Sequence, residues 1–441
     1  MKKTLGVLLS ALLVCFIVQF AFAQAGKEIK IGVIGSLTGA FATGGGLDTH
    51  RGLEMAIDMA NRAGGVLGKY KVVPVITDDQ SNPDIGIREA ERLINVEHLP
   101  IVTGIYSSSI ATPVAMICEK NKTVMWINMA VADGVLKGKH YQYVFRPQHA
   151  ASMYSGVTVD FLWDNYKKLG VTSPDKVRIA LLHEDGPYGT GVAAATRAPC
   201  KKYGFNIVFD ELYAHDIKDM SPIILKLKAA NPDVIYNAGY LSDVCIFLKQ
   251  GRQLGLKFKL LVGSGGGYSN IPIISETVGK ELIEYLLSTS GMSLVELVPP
   301  ALVPAQWKKW NEEYVKTSEP KYGLKPSNLA LMQSWVWSMV LLNYVLPDAI
   351  TKYGFDPATP REVQAEALRK ACRGLDIPIG GTGVLYGVKF APPEHEMAGQ
   401  NLAIMSVVNQ WARGNWHIVW PDKFKTVDPW FPIPKDSPFA K

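Results

Sequence analysis

Apolar positions along the chain fall into two alternating rhythms. Ile29 to Ile34, Lys71 to Thr77, Ile101 to Ile105 and Thr123 to Ile127 are short apolar runs that read as buried strands. Between them the spacing is helical. Leu53, Ala56, Ile57 and Ala60 recur at i, i+3, i+4 and i+7, which puts them on one face of a helix over residues 47–62. Asn82-Pro83 supplies a cap and a first-turn proline for a helix reaching about Val96, and a third helix is predicted from about Ser109 to Lys120. Strand and helix in strict alternation build a largely parallel sheet covered on both faces.

The pattern repeats further along. Strands are predicted over 177–182, 206–209, 234–237 and 260–262, and helices over 153–169, 191–203, 220–230 and 242–254. This is a second α/β lobe of similar build. After Ser290-Gly291 the strands give way to helices over 305–317, 325–353 and 360–372, with Pro347 expected to kink or end the long one. These helices most simply pack on the two lobes. The stretch 329–345 is apolar but carries Gln333, Ser334, Ser338 and Asn343, which marks a core helix rather than a membrane span. Near the C-terminus, strands over 403–410 and 415–420 flank an Arg413-Gly414 turn. Trp411, Trp416, Trp420 and Trp430 alternate there with Pro421, Pro429, Pro432 and Pro434, a composition that suits a tail sealing one lobe; a partner surface or sugar platform is the alternative.

The N-terminus has a different character. Lys2 and Lys3 precede an apolar run from Leu5 to Phe22 that ends in Ala21-Phe22-Ala23. A basic start, an apolar middle and a small-x-small end make a secretory leader, expected to be cut after Ala23. The formal charge of +6 falls to +4 once the two leader lysines are gone. Over 441 residues that is no nucleic-acid signature, and 48% apolar with 20% charged residues is an ordinary globular balance. Export permits disulfides. Cys118, Cys200, Cys245 and Cys372 are widely spaced, allow three pairings and match no metal motif, and they read more simply as buried thiols.

Enzymatic and cofactor signatures are missing from the sequence. Gly32 and Gly35 fall one glycine short of a dinucleotide turn, and Gly44-Gly45-Gly46 is not followed by the Lys-Ser or Lys-Thr of a phosphate loop. Zinc spacing and a nucleophile elbow are also absent. Asp78-Asp79 reads as a strand end in solvent before it reads as a metal site. His183-Glu184-Asp185 follows a strand, but no nucleophile or cofactor sequence accompanies it. The expectation is no catalytic residue, no cofactor and no metal.

In parallel α/β sheets, ligands collect beyond the carboxyl ends of the strands. The strand 101–105 exits into Tyr106-Ser107-Ser108-Ser109 and then a helix, which offers hydroxyls and unpaired backbone N–H groups to an anion. One serine is expected to cap the helix and another to meet a ligand. The strand 123–127 exits into Asn128-Met129-Ala130-Val131-Ala132, whose small residues allow close approach. In the second lobe, Tyr188 and Tyr240 stand at equivalent strand exits and suggest an aromatic wall facing the serine loop.

Taken in order, the segments Ile29-Lys30-Ile31-Gly32-Val33-Ile34-Gly35-Ser36-Leu37-Thr38-Gly39, Gly64-Gly65-Val66-Leu67-Gly68, Ser107-Ser108-Ser109, Asp185-Gly186-Pro187-Tyr188-Gly189 and Gly239-Tyr240 make the chain from residue 27 to about 420 resemble the periplasmic branched-chain amino-acid binding proteins. These are the type I solute-binding proteins of ABC transporters, also called extracellular ligand-binding receptors. The resemblance implies two Rossmann-like lobes with parallel-sheet cores joined by three crossovers. The first lobe would take 27–147 plus 290–385, and the second 148–289 plus 386–441. It also implies a periplasmic protein that captures a small-molecule solute and hands it to a membrane ABC permease, with no enzymatic step; a monomer is the favoured state. Carried over from the family, Ser108 and Ala130 match positions that hold the ligand carboxylate, within binding loops that include Ser107, Ser109 and Ala132, and Tyr188 and Tyr240 would close on it. Ala132 stands where a threonine is usual. The acidic residue that receives an amino group in amino-acid binders falls near Gly265, which has no side chain, and a tryptophan is replaced near Gly44, leaving Phe41 as the nearby aromatic. A buried ammonium without an anionic partner costs several kcal/mol. The expected ligand is therefore a small organic acid, an aromatic carboxylate being one form. The alternative is an amino-acid or amide binder, or a sensor of the same fold.

Overall fold

The computed structural model describes residues 27–291 and 294–441. The leader expected up to Ala23 lies outside the described residues.

Two sheets carry the architecture. The first has strands β1 (Glu28–Gly35), β2 (Lys71–Asp78), β3 (Ile101–Thr103), β4 (Val124–Trp126) and β5 (Val144–Phe145), in the order β2-β1-β3-β4-β5, all parallel. The second takes β6 (Arg178–Glu184), β7 (Asn206–Tyr213), β8 (Val234–Ala238), β9 (Leu260–Ser264) and β10 (Leu287–Gly291). A small pair, β11 (Asp376–Ile377) and β12 (Val388–Lys389), follows before β13 (Val407–Ala412) and β14 (Asn415–Trp420). The second sheet runs β14-β13-β10-β9-β8-β6-β7. It is parallel from β10 to β7, and the β13–β14 hairpin adds two antiparallel strands at its edge. In each sheet the chain reverses its winding direction once, between β1 and β3 and between β6 and β8. The crevices at those switch points are where loops from neighbouring strands splay apart.

The helix expected over 47–62 is Leu47–Arg62, with Leu53, Ala56, Ile57 and Ala60 on its buried side. Asn82 caps Pro83–Asn95, its side chain accepting from the N–H groups of Asp84 and Ile85. The long C-terminal helix is not broken at Pro347. It runs Leu329–Val340, widens to a π-turn over Leu341–Val345 and resumes as Leu346–Tyr353. The wider turn directly precedes the proline and removes the need for its missing N–H, so helical turns continue past it. Over Leu329–Tyr353 the most apolar window is 89% buried, as a core helix requires. Gly52 lets this helix lie against Leu47–Arg62 at backbone distance: a Cβ there would sit 2.3 Å from the Leu331 carbonyl oxygen.

Cys118, Cys200, Cys245 and Cys372 are buried free thiols. The Trp/Pro tail lies on the second lobe. Phe439 stacks on Phe258 at 4.9 Å, and the Phe258 N–H donates to the Phe439 carbonyl. Trp430 packs on Tyr285 and His417.

Candidate functional site

Between the lobes lies a cavity of about 530 Å³, counting all the space between its atoms, including the part open to solvent. The first lobe contributes Tyr106 and Ser108 after β3, and Met129 and Val131 after β4. His149 and Tyr154 come from the crossover after β5, and Leu329 and Gln333 from the long helix. The second lobe contributes Tyr188 after β6, Tyr240 after β8, and Gly265, Gly266 and Ser269 after β9.

The three serines divide the labour by position. Ser107 caps the helix Ser108–Lys120: its Oγ accepts the Ser109 N–H at 3.3 Å, and its hydroxyl also meets the Ser109 hydroxyl at 2.8 Å. Ser108 is the one that lines the cavity. Its Oγ accepts the Ala132 N–H at 3.2 Å, which leaves its own proton for an acceptor in the cavity.

Ala130 and Ala132 are buried behind the wall, and their neighbours Met129 and Val131 face the cavity. All three carbonyls of the loop are occupied. Arg146 Nη1 donates to Ala130 O at 3.3 Å and to Ala132 O at 2.8 Å, and the Ala151 N–H donates to Val131 O at 2.8 Å. These three oxygens are held by protein donors. The strand-exit reading and the cavity share this loop, but at alternate residues.

Tyr188 and Tyr240 form one aromatic face, ring centroids 5.5 Å apart. Tyr188 donates to Ser264 O at 2.7 Å and Tyr106 to Gly44 O at 3.1 Å, so both hydroxyl protons are committed to the protein. Burial raises the phenol of Tyr188 and of Tyr240 well above the usual range, and both stay neutral. Gly266 has φ +37°, and a Cβ on it would lie 2.7 Å from both Gly239 O and the Tyr188 hydroxyl. Gly265 is different: a Cβ there meets only the Tyr188 hydroxyl, at 4.0 Å.

Phe41 does not reach the cavity. Its ring packs on Tyr240 from behind, centroids 4.6 Å apart, and on His215. The place of the tryptophan replaced near Gly44 is filled. Tyr106 lies so close that a Cβ on Gly45 would be 2.6 Å from its ring, and Leu241 covers Gly44. The missing tryptophan is thus replaced by protein, not by room for a larger ligand.

The lobes touch around the cavity rim. Beyond the Phe41–Tyr240 pair, the Ser107 hydroxyl lies 3.5 Å from that of Tyr240. Asp48 on the first lobe accepts from Asn270 of the second at 3.1 Å, and from Asn328 at 2.9 Å. Burial raises the Asp48 carboxyl, against the lowering effect of Asn328 and Arg51.

The other acidic candidates are structural. Asp78 accepts the N–H groups of Leu37, Thr38 and Gln80, and Asp79 accepts the Ser36 hydroxyl and the Ser81 N–H. Burial pushes the Asp79 carboxyl up to about 6. Glu184 accepts the N–H groups of Gly186 and Gly189 at the start of helix Pro187–Tyr203, and His183 Nδ1 lies 2.9 Å from Glu184 O. No group of three or more metal-ligating side chains occurs among the described residues.

Tyr154, His149, Leu329 and Gln333 were not foreseen. Tyr154 and His149 follow a two-residue strand too short to leave a pattern, and Leu329 and Gln333 sit in a helix buried on all sides, so no solvent-facing period marks their face.

Comparison with known proteins agrees with this geometry. The periplasmic binding protein family matches residues 28–413. A "Leu/Ile/Val-binding protein homolog 7" of Brucella abortus (strain 2308) is 32% identical over 408 residues, covering 92% of this chain and 94% of its own. A "homolog 8" of Brucella suis is 30% identical over 416 residues, covering 91% and 93%. Among solved structures, a leucine-binding protein of Thermotoga maritima superposes with a TM-score of 0.68 at 21% identity, covering 88% of this chain and 97% of that one. An extracellular ligand-binding receptor of Rhodopseudomonas palustris HaA2 superposes with 0.71 at 17% identity, covering 89% and 100%. A two-lobed α/β frame, a cavity at the paired strand exits and a family match across nearly the whole chain lead to one conclusion: the chain belongs to the periplasmic binding proteins, a family of exported, non-catalytic solute-binding proteins that serve ABC transporters.

Proposed function

We propose that the solute is a small organic acid without an α-ammonium group, captured between the lobes and passed to a membrane ABC permease. One observation carries this reading. No Asp or Glu side chain lines the cavity among the described residues, and at Gly265 the wall has room for a side chain that the sequence does not supply. An amine enclosed there would lose its hydration without gaining a counter-charge. A carboxylate would meet the free proton of Ser108 and N–H groups of the 129–131 loop, while Tyr188 and Tyr240 pack on its body. The aromatic lining accommodates an aromatic carboxylate as one such ligand.

A second reading, an amino-acid binder, is favoured by the names of the Brucella relatives. Calorimetric titration against benzoate-type and aliphatic acids, and against leucine, separates the two. Acid binding without leucine binding is the expected result; tight leucine binding without acid binding reverses the assignment. In the same titration Ser108→Ala should weaken acid binding about tenfold, the worth of one hydrogen bond to a charged group. Unchanged affinity would leave Ser108 as a loop tie only.

The protein is further proposed to act as a monomer, its leader cut after Ala23. N-terminal sequencing of the exported protein should begin at Gln24; a start elsewhere moves the cut.

A further inference from the structure

The crossover after β5 buries a cation that forms no ion pair among the described residues. Arg146 is fully buried. Its Nε donates to Gln400 Oε1 at 2.6 Å and its Nη1 to the carbonyls of Ala130 and Ala132, all neutral acceptors. Its Nη2 has no hydrogen-bond partner among the described residues. The acid with the largest electrostatic effect on it is Asp133, which forms no ion pair with it and accepts the Ser152 N–H instead. Burial lowers the guanidinium to about 10, so it stays charged at neutral pH. Burying a charge against neutral dipoles alone is costly, and proteins otherwise pair such groups.

The layer in front of Arg146 is the cavity wall. Tyr154 lines the cavity, its hydroxyl has no hydrogen-bond partner among the described residues, and the Arg146 charge is near enough to lower its phenol against the effect of burial. His149, also on the wall, is pushed down to about 3 by burial and by Arg146, so it adds no second charge. The carbonyls of Ala130 and Ala132 are drawn back onto the guanidinium, which keeps their oxygens from facing the ligand.

We propose that Arg146 is the positioning residue that makes this cavity select anions: the ligand carboxylate is its missing counter-charge, met through the Tyr154 hydroxyl and the 130–132 loop. The proposal rests on the reading that the cavity takes a carboxylate, and not on whether the carrier also has an amine.

The test compares the affinity of each of a set of monocarboxylates with that of its primary amide, including leucine and leucinamide, by calorimetry on the full mature protein. The wild type should prefer acid to amide. Arg146→Gln should reduce that preference at least 30-fold, and Arg146→Lys, which keeps the charge, should restore most of it. Tyr154→Phe keeps the ring and should cost the acid about tenfold while leaving the amide within twofold. It carries the test if Arg146→Gln does not fold. If Arg146→Gln, or Tyr154→Phe in its place, folds and keeps the wild-type preference, Arg146 holds the loop only and the proposal falls while the carboxylate reading stands. If the wild type binds amides as well as acids, the carboxylate reading falls and takes this role with it. If leucine is the one acid bound, the organic-acid reading falls alone, and the leucine-to-leucinamide ratio decides Arg146.

Discussion

Placing a carboxylate at the bare part of the wall should invert what the cavity accepts. In Gly265→Glu the new Cβ meets nothing closer than the Tyr188 hydroxyl at 4.0 Å, so the chain can carry a side chain there without a clash. The glutamate would project among Tyr188, Tyr240 and Ser269, with no cationic side chain on the wall to pair with it. Two carboxylates sharing a desolvated space repel by several kcal/mol. Binding of an organic acid should fall at least 100-fold, about 3 kcal/mol, when titrated at pH 8, where both groups are charged. Gly265→Gln has the same size without the charge and should cost far less. The pair of variants separates charge from bulk. An acid that binds Gly265→Glu as tightly as wild type, or one that the glutamine variant excludes equally, would sink the idea that an absent anion defines the site. Appearance of leucine binding in the glutamate variant is the corollary to look for.

Much of this frame can be read from residue pattern alone, for reasons that differ by element. The helix Leu47–Arg62 is legible because one face packs on the sheet and the other meets solvent, so burial writes a 3.6-residue period into the sequence. The Arg413-Gly414 turn is legible because both residues adopt positive φ, 52° and 79°, which few sequences other than those ending in glycine tolerate in a two-residue hairpin. β5 and β10 left no mark. β5 has only two residues, and β10 lies centrally, between the parallel β9 and the antiparallel β13, so its surroundings impose no alternation.

The site was legible at the level of loops and not of side chains. Strand exits identify which loops face the cleft, because the sheet's handedness fixes that. Which residue of a loop points inward depends on how its carbonyls are tied, and Arg146, fifteen or so residues away, does that tying. Nothing local to Ala130 or Ala132 announces it. Phe41 shows the same limit. An aromatic near the cleft was the natural candidate for ligand contact, yet Tyr240 stands between it and the cavity.

The second large effect concerns the joint between the helices Leu47–Arg62 and Leu329–Val340, and it couples stability to binding. Gly52 sits where the two backbones meet. A Cβ would lie 2.3 Å from Leu331 O, 2.9 Å from Trp335 N and 3.0 Å from Ser334 Cβ. Two of these are backbone atoms of one helical turn, which cannot swing aside as a flexible side chain would. Trp335 is itself pinned, stacked on Tyr314 at 4.5 Å with its Nε1 donating to Met59 Sδ. Ser334 Oγ donates to Thr49 O at 2.6 Å, and Asn128 reaches Ser334 and Ser338. Gly52→Leu must therefore push whole helices apart and open this packed layer, at about 3 kcal/mol, the upper end of ordinary overpacking. The urea midpoint should fall accordingly, with Gly52→Ala intermediate. Binding should suffer as well, because the displaced helix carries Leu329 and Gln333 on the cavity wall, and Asn328 at its cap holds the Asp48 carboxylate that also reaches Asn270 across the rim. A Gly52→Leu protein with an unshifted midpoint and wild-type affinity would mean that the two helices yield independently of the cleft, and that the long helix is only a cover for the first lobe.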